Sequence, residues 1–76
     1  MIPHDALVNK LRSLNFTFKR QADRVEIYRK RGDTTIVSIR RHDLHDEDAV
    51  RCHLKMAGAD HGDVESFIAS CRTGKH

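Results

Sequence analysis

The chain has no tryptophan, one proline and two cysteines, and aromatic residues make up only 5% of it. So few large rings exclude a deep apolar ligand cavity and leave material for one modest core. A chain of 76 residues buries only about 60–65% of its unfolded surface, so that core must be compact. One domain over residues 1–76 is expected, ordered over about 3–71. The two cysteines fit no metal-ligand spacing such as Cys-x-x-Cys. Cys52 and Cys71 read instead as small buried side chains in a reducing compartment. No apolar run approaches the roughly 18 residues that a membrane span needs. Met1 to Asp5 lack the charged and apolar regions of a secretion signal. The expected location is cytoplasmic, and no cofactor is expected.

What the chain has in plenty is charge, unevenly placed. The net charge is +3. Residues 19–41 contain Lys19, Arg20, Arg24, Arg29, Lys30, Arg31, Arg40 and Arg41 against Asp23, Glu26 and Asp33. Residues 42–76 reverse the balance, with Arg51, Lys55, Arg72 and Lys75 against seven acids. A basic centre suits phosphate, and the acidic third suits solvent or a basic partner.

Hydrophobic spacing gives an α+β reading in the order α-β-β-β-α, with an extra short C-terminal helix. Over 3–14, Leu7, Val8, Leu11 and Leu14 form one helical stripe, Pro3 fits the first turn and Asn15 fits a left-handed stop. Residues 16–20, 25–29 and 35–40 alternate as strands, joined by a connection at 21–23 and a turn at 31–34 containing Gly32. Short connections make them an antiparallel meander. Asp46, Glu47 and Asp48 suit a helix start, and that helix buries Val50, Leu54 and Ala57 until Gly58 stops it. Val64, Phe67, Ile68 and Cys71 line the last helix. The tail, residues 73–76, is expected to fray.

Alternation predicts that Phe16, Phe18, Val25, Ile27, Val37 and Ile39 face the helices. The other face then carries Thr17, Lys19, Arg24, Glu26, Tyr28, Ser38 and Arg40, with Ile36. That is a plausible nucleic-acid surface, with cations for phosphates and Tyr28 for stacking on a base. Arg29, Lys30, Arg31 and Arg41 would form its rim, beside Arg20. The bland alternative is a solvated face whose cations prevent edge aggregation.

The histidines carry less signal. His42, His45, Asp46 and Asp48 are metal-ligand types, but their spacing matches no specific site, and helix capping explains the acids better. No metal is expected. His53 reads as a core-edge histidine, His61 as an exposed turn residue, and His4 and His76 as terminal residues of little weight.

A family resemblance enters in the second half. Arg40-Arg41-His42-Asp43, then Ala49 to Gly58 ending Leu54-Lys55-Met56-Ala57-Gly58, then Val64-Glu65-Ser66-Phe67-Ile68 resemble the end of the HicA toxins. Leu14-Asn15-Phe16 resembles the family's helix end, with Asn15 in place of Gly. The resemblance implies a double-stranded-RNA-binding-like fold, and an mRNA endoribonuclease of a toxin–antitoxin module neutralised by a HicB-like antitoxin. The family's catalytic His, entering the second strand, falls on Arg24 here. Arginine stays protonated and cannot be the base for a 2′-hydroxyl, although it can hold phosphate. Three readings stay open. The chain is a catalytically degenerate RNA-binding protein, an active endoribonuclease with Glu26 or His42 as base, or a protein-interaction module that docks an acidic antitoxin-like partner.

Overall fold

The computed structural model describes residues 1–72. Elements run β1 (Ile2–Pro3), α1 (His4–Ser13), β2 (Phe16–Ala22), β3 (Val25–Lys30), β4 (Ile36–Arg40), β5 (Leu44–His45), α2 (Glu47–Met56) and α3 (His61–Arg72). The fold is α+β. A three-stranded antiparallel sheet of order β2-β3-β4 packs one face against three helices, and β1 and β5 form a separate two-stranded clasp. That clasp pairs Ile2 with His45 and Pro3 with Leu44. Neither of its strands was expected, because two residues are too few to show a period.

Local chemistry explains the boundaries. Pro3 is the N-cap of α1 in an extended conformation, compatible with its fixed φ. Asn15 follows the helix at φ +71°, the left-handed stop its short polar side chain tolerates. Gly32 and Gly58 also take positive φ, at +76° and +85°. The connection expected at 21–23 is tighter. Gln21 and Ala22 extend β2, and the turn is Asp23–Arg24, with Asp23 at φ +57°. The Asp46 carboxylate caps α2 by accepting the Asp48 and Ala49 N–H groups at 3.0 and 3.4 Å. Asp60 does the same at the start of α3 for Gly62 and Asp63, at 3.1 and 3.4 Å.

The last helix, expected to be short, has 12 residues, the longest of the three. Ion pairs tie it antiparallel to α2. Arg51 grips Glu65 with two hydrogen bonds of 2.8 and 3.1 Å, and Arg72 grips Glu47 at 2.8 and 2.6 Å. Glu47 also approaches Arg51 at 3.9 Å, one helical turn away. Lys10 of α1 meets Asp63 at 2.7 Å.

One core cluster joins all the layers. Ile2, Leu7, Leu11, Phe16, Val37, Ile39, Val50, Leu54 and Ile68 are fully buried or nearly so. The helical stripes were therefore read correctly, including Val64 and Cys71, with Phe67 at the margin. Cys52 was not, for it is exposed on α2 while Cys71 is buried, and both are free thiols.

The sheet faces need a larger correction. Tyr28 is buried at 3% exposure, and Phe18, expected inside, is 51% exposed. Val25 and Ile27 are only half-buried and lie on the outer face. Pairing decides this. The loop between β3 and β4 closes with the Lys30 N–H on the Thr35 carbonyl at 3.0 Å, and Asp33 accepts from Thr35 N–H and hydroxyl at 3.0 Å each. That register sets Arg29 opposite Ile36, Tyr28 opposite Val37 and Glu26 opposite Ile39. Opposed residues share a face, so Tyr28 and Glu26 go inward with Val37 and Ile39. In β2 the register shifts between Phe18 and Arg20, a bulge at Lys19 that turns Arg20 outward. Phe18 stays beside Tyr28, ring edge to face at 5.7 Å, but β2 is an edge strand and leaves it half in water.

Removing the α2 cap tests this local account. Asp46→Ala should cost about 1 kcal/mol, read as a fall of roughly 4–8 °C in Tm. Leu54→Ala should cost about 2–5 kcal/mol.

Candidate functional site

A carboxylate on the inner face of a small sheet requires partners, and Glu26 has three. Its Oε1 accepts from the Tyr28 hydroxyl at 2.9 Å and meets His4 Nε2 at 3.0 Å. Its Oε2 lies 3.4 Å from Arg41 Nε. His4 opens α1, and its other nitrogen, Nδ1, meets His45 Nε2 at 2.9 Å. The result is a continuous chain, Tyr28–Glu26–His4–His45, crossing β3, α1 and β5. The His4 N–H also donates to the Asp43 carbonyl at 2.9 Å, so backbone and side chains fasten the same corner.

His45 is the one buried polar or charged residue among those described, at 4% exposure. Burial, then the neighbouring His4, His53 and His42, hold its pKa below the usual imidazole value, with Glu26 acting the other way. His45 is therefore neutral at neutral pH, with Nε2 engaged by His4. No described buried side-chain polar atom lacks a partner. Burial lowers His53 similarly. The His42 ring stands edge-on to His45, centroids 6.0 Å apart.

His45 lines an open groove of about 690 Å³ with His42, His53, Arg40, Met1, Leu44 and neighbouring residues of β3, β4 and α2. A second, more polar hollow of about 280 Å³ adjoins it, lined by Arg24, Arg41, His42, Gln21, Asp23 and Asp43. His42 borders both. An imidazole pair with arginines beside it can exchange protons while holding an anion.

The expected site residues therefore divide. Arg24, Arg40, Arg41 and His42 gather at one end of the sheet around this corner. The Arg24 carbonyl accepts the Arg41 N–H at 3.0 Å, and Arg41 Nη1 also reaches Gln21 at 3.4 Å. Arg29, Lys30 and Arg31 lie at the other end of β3, roughly 15–20 Å away at the usual rise per residue. Arg29 sits opposite Thr17 and Ile36 on the outer face, Lys30 is half-buried, and Arg31 is in the loop. Arg20 is on the outer face and Lys19 in the bulge. Tyr28 cannot stack on a base, because its ring is in the core and its hydroxyl is committed to Glu26. Glu26 is not a free base, because both its oxygens are engaged.

Sequence reasoning missed His4 and His45. His4 was set aside as terminal, and His45 was weighed only as a metal ligand whose spacing matches no specific site. One signal was present: Glu26 interrupts a strand of Val25, Ile27 and Tyr28, so a buried acid there required a distant basic partner. Compared with known proteins, the chain matches no family model, no curated protein and no solved structure.

The single tyrosine offers a direct check. Desolvation, then the hydrogen bond to Glu26, push its phenol up to about 12. Absorbance titration should show ionisation near that value rather than near 10, and Glu26→Gln should bring it down. A raised folded pKa means that this contribution to stability is complete below pH 10 and fades as pH rises towards 12.

Proposed function

We propose that this chain is a HicA-like RNA-binding protein that cleaves RNA at the groove floored by His45. The observation that carries the reading is the setting of His45. It is buried beneath the groove, locked from behind by His4 and Glu26, with His42 and Arg40 beside it. The α-β-β-β-α order of the main elements supports the double-stranded-RNA-binding-like comparison that the sequence suggested.

In this reading a phosphodiester lies across the groove, its non-bridging oxygens held by Arg40, with Arg24 and Arg41 extending the cationic surface along the strand. Neutral His45 takes the 2′-hydroxyl proton. The 2′-oxygen attacks phosphorus and the bond to the 5′-oxygen breaks. A protonated His42 gives that oxygen its proton. The products are a 2′,3′-cyclic phosphate and a 5′-hydroxyl, and the two histidines end with exchanged protonation states. Glu26 and Tyr28 act as positioning residues, holding His4 and through it the His45 ring. Arg24, the position at which the HicA family places its histidine, serves phosphate alone.

A long mRNA incubated with the protein in EDTA should be cut and carry cyclic phosphate ends. His45→Ala and His42→Ala should each lose about 10²–10⁴-fold in rate while still binding RNA. Arg24→Ala with Arg40→Ala should weaken binding, most at low salt, and flatten its dependence on salt. Intact RNA with the wild-type protein, under conditions where it binds, rejects cleavage. Binding no tighter than that of the double variant rejects the RNA reading itself.

The outer sheet face favours a second role. Val25, Ile27 and Ile36 form an apolar centre flanked by Arg20, Arg29 and Arg40, and Ile36 is 44% exposed. Such a surface suits an acidic, HicB-like antitoxin chain. Charge reversal at Arg29 would release that partner and leave cleavage intact.

A further inference from the structure

The contact between His4 and His45 has a property that goes beyond any reading of substrate. Two imidazole nitrogens face each other at 2.9 Å, a distance that accommodates one proton between them. His4 Nε2 is directed at the Glu26 carboxylate, so it carries a hydrogen. With both rings neutral, His45 Nε2 donates to His4 Nδ1. With one added proton, His4 donates from both nitrogens, and His45 accepts at Nε2 and holds its hydrogen on Nδ1. A second added proton puts N–H against N–H, and the contact cannot survive.

That contact lies inside the clasp. Ile2 pairs with His45 and Pro3 with Leu44, and the His4 N–H reaches Asp43. We infer that the clasp between β1 and β5 is a proton-operated latch, closed while the His4–His45 pair holds at most one extra proton and released by the second. Every neighbour acts on this balance. Glu26 from β3 favours one extra proton on His4, while the Tyr28 hydroxyl is committed to Glu26. Arg41 and His42 from the β4–β5 link, and His53 from α2, disfavour a second charge. The Met1 ammonium lies towards Glu47 and Cys71. The lowered pKa of His45 agrees in direction.

The sign follows from linkage. Once both imidazoles of the open form are protonated, below about 6.5 as in an unfolded chain, the closed form binds one proton fewer. Closure is therefore fully favoured above about pH 6.5 and weakens as pH falls below it. If the second proton is wholly excluded and the first binds both forms alike, opening rises about thirty-fold between pH 7.5 and pH 5, and less where the closed form holds the first proton more tightly. Release would separate His4 from His45 and disassemble the groove floor. That regulatory consequence rests on the cleavage reading, but the latch itself does not.

The test uses the full chain without RNA. Ring-nitrogen NMR should show His45 taking up its proton only as the clasp opens. Hydrogen exchange at the His4 amide, corrected for intrinsic rate, should show opening increase up to about thirty-fold from pH 7.5 to 5, while the Tyr28 amide in the sheet keeps its protection. In His45→Gln the side-chain amide donates its N–H to neutral His4 Nδ1 and, turned over, accepts from the protonated ring with its oxygen, so N–H never meets N–H and the pH dependence should vanish. Equal loss in that variant, or unchanged wild-type protection at pH 5, overturns the latch. If the variant does not fold, the wild-type protein decides: His45 gaining its proton with the His4 amide still protected overturns it. A protein that opens as described and leaves RNA intact retains the latch and loses only the cleavage reading.

Discussion

One partly buried carboxylate organises this protein. Glu26 lies on the inner face of the sheet, where an unpaired charge would be strongly destabilising. The fold answers by bringing His4, Tyr28 and Arg41 to it. Those partners belong to α1, β3 and the segment after β4, so satisfying one acid fixes three parts of the chain relative to one another. Tyr28 goes inward for the same reason: it shares its face with Glu26, and its ring fills core while its hydroxyl meets the carboxylate. The hydrophobic contacts alone would have been content with Val25 and Ile27 inside.

The ion pairs on the other side of the molecule act differently. Arg51 with Glu65 is part-buried and Arg72 with Glu47 exposed; solvent screens both, and surface pairs of this kind add little stability. Their geometry matters more. Two-point grips in the middle and at one end of the α2–α3 pair set its antiparallel alignment, which places Val50, Leu54, Val64 and Ile68 in the core. They also engage much of the charge in the acidic third with partners inside the chain. The basic centre makes fewer such pairs, and many of its arginines and lysines remain exposed to solvent.

Much of the fold was legible in the sequence because its signals are local. The helical stripes, the left-handed Asn15, the Asp46 cap and the β3–β4 turn all depend on residues a few positions apart. The face of β3 was not legible. Val25 and Ile27 alternate with Glu26 and Tyr28, and both parities look half-apolar. Register with β4 and a partner for Glu26 decide between them, and neither is a local property. The candidate site was legible in part. Arg24, Arg40, Arg41, His42 and Glu26 are all at the corner, but His4 and His45 reach it through a two-residue strand pair that leaves no periodic trace. Conversely, Arg29, Lys30 and Arg31 drew attention by density of charge and lie at the far end of the sheet.

The clasp also bears on the order in which the molecule assembles. His4 and His45 are 41 positions apart, and the whole three-stranded sheet lies between them in sequence. Closing so long a span is entropically slow unless the intervening segment has already collapsed. The sheet supplies that collapse, since its hairpins need only neighbouring residues. The histidine corner is thus expected late in folding. A chain with its sheet formed but its first strand unpaired has the cationic surface without the histidine pair, and on the proposed reading would hold an anion before it could act on one.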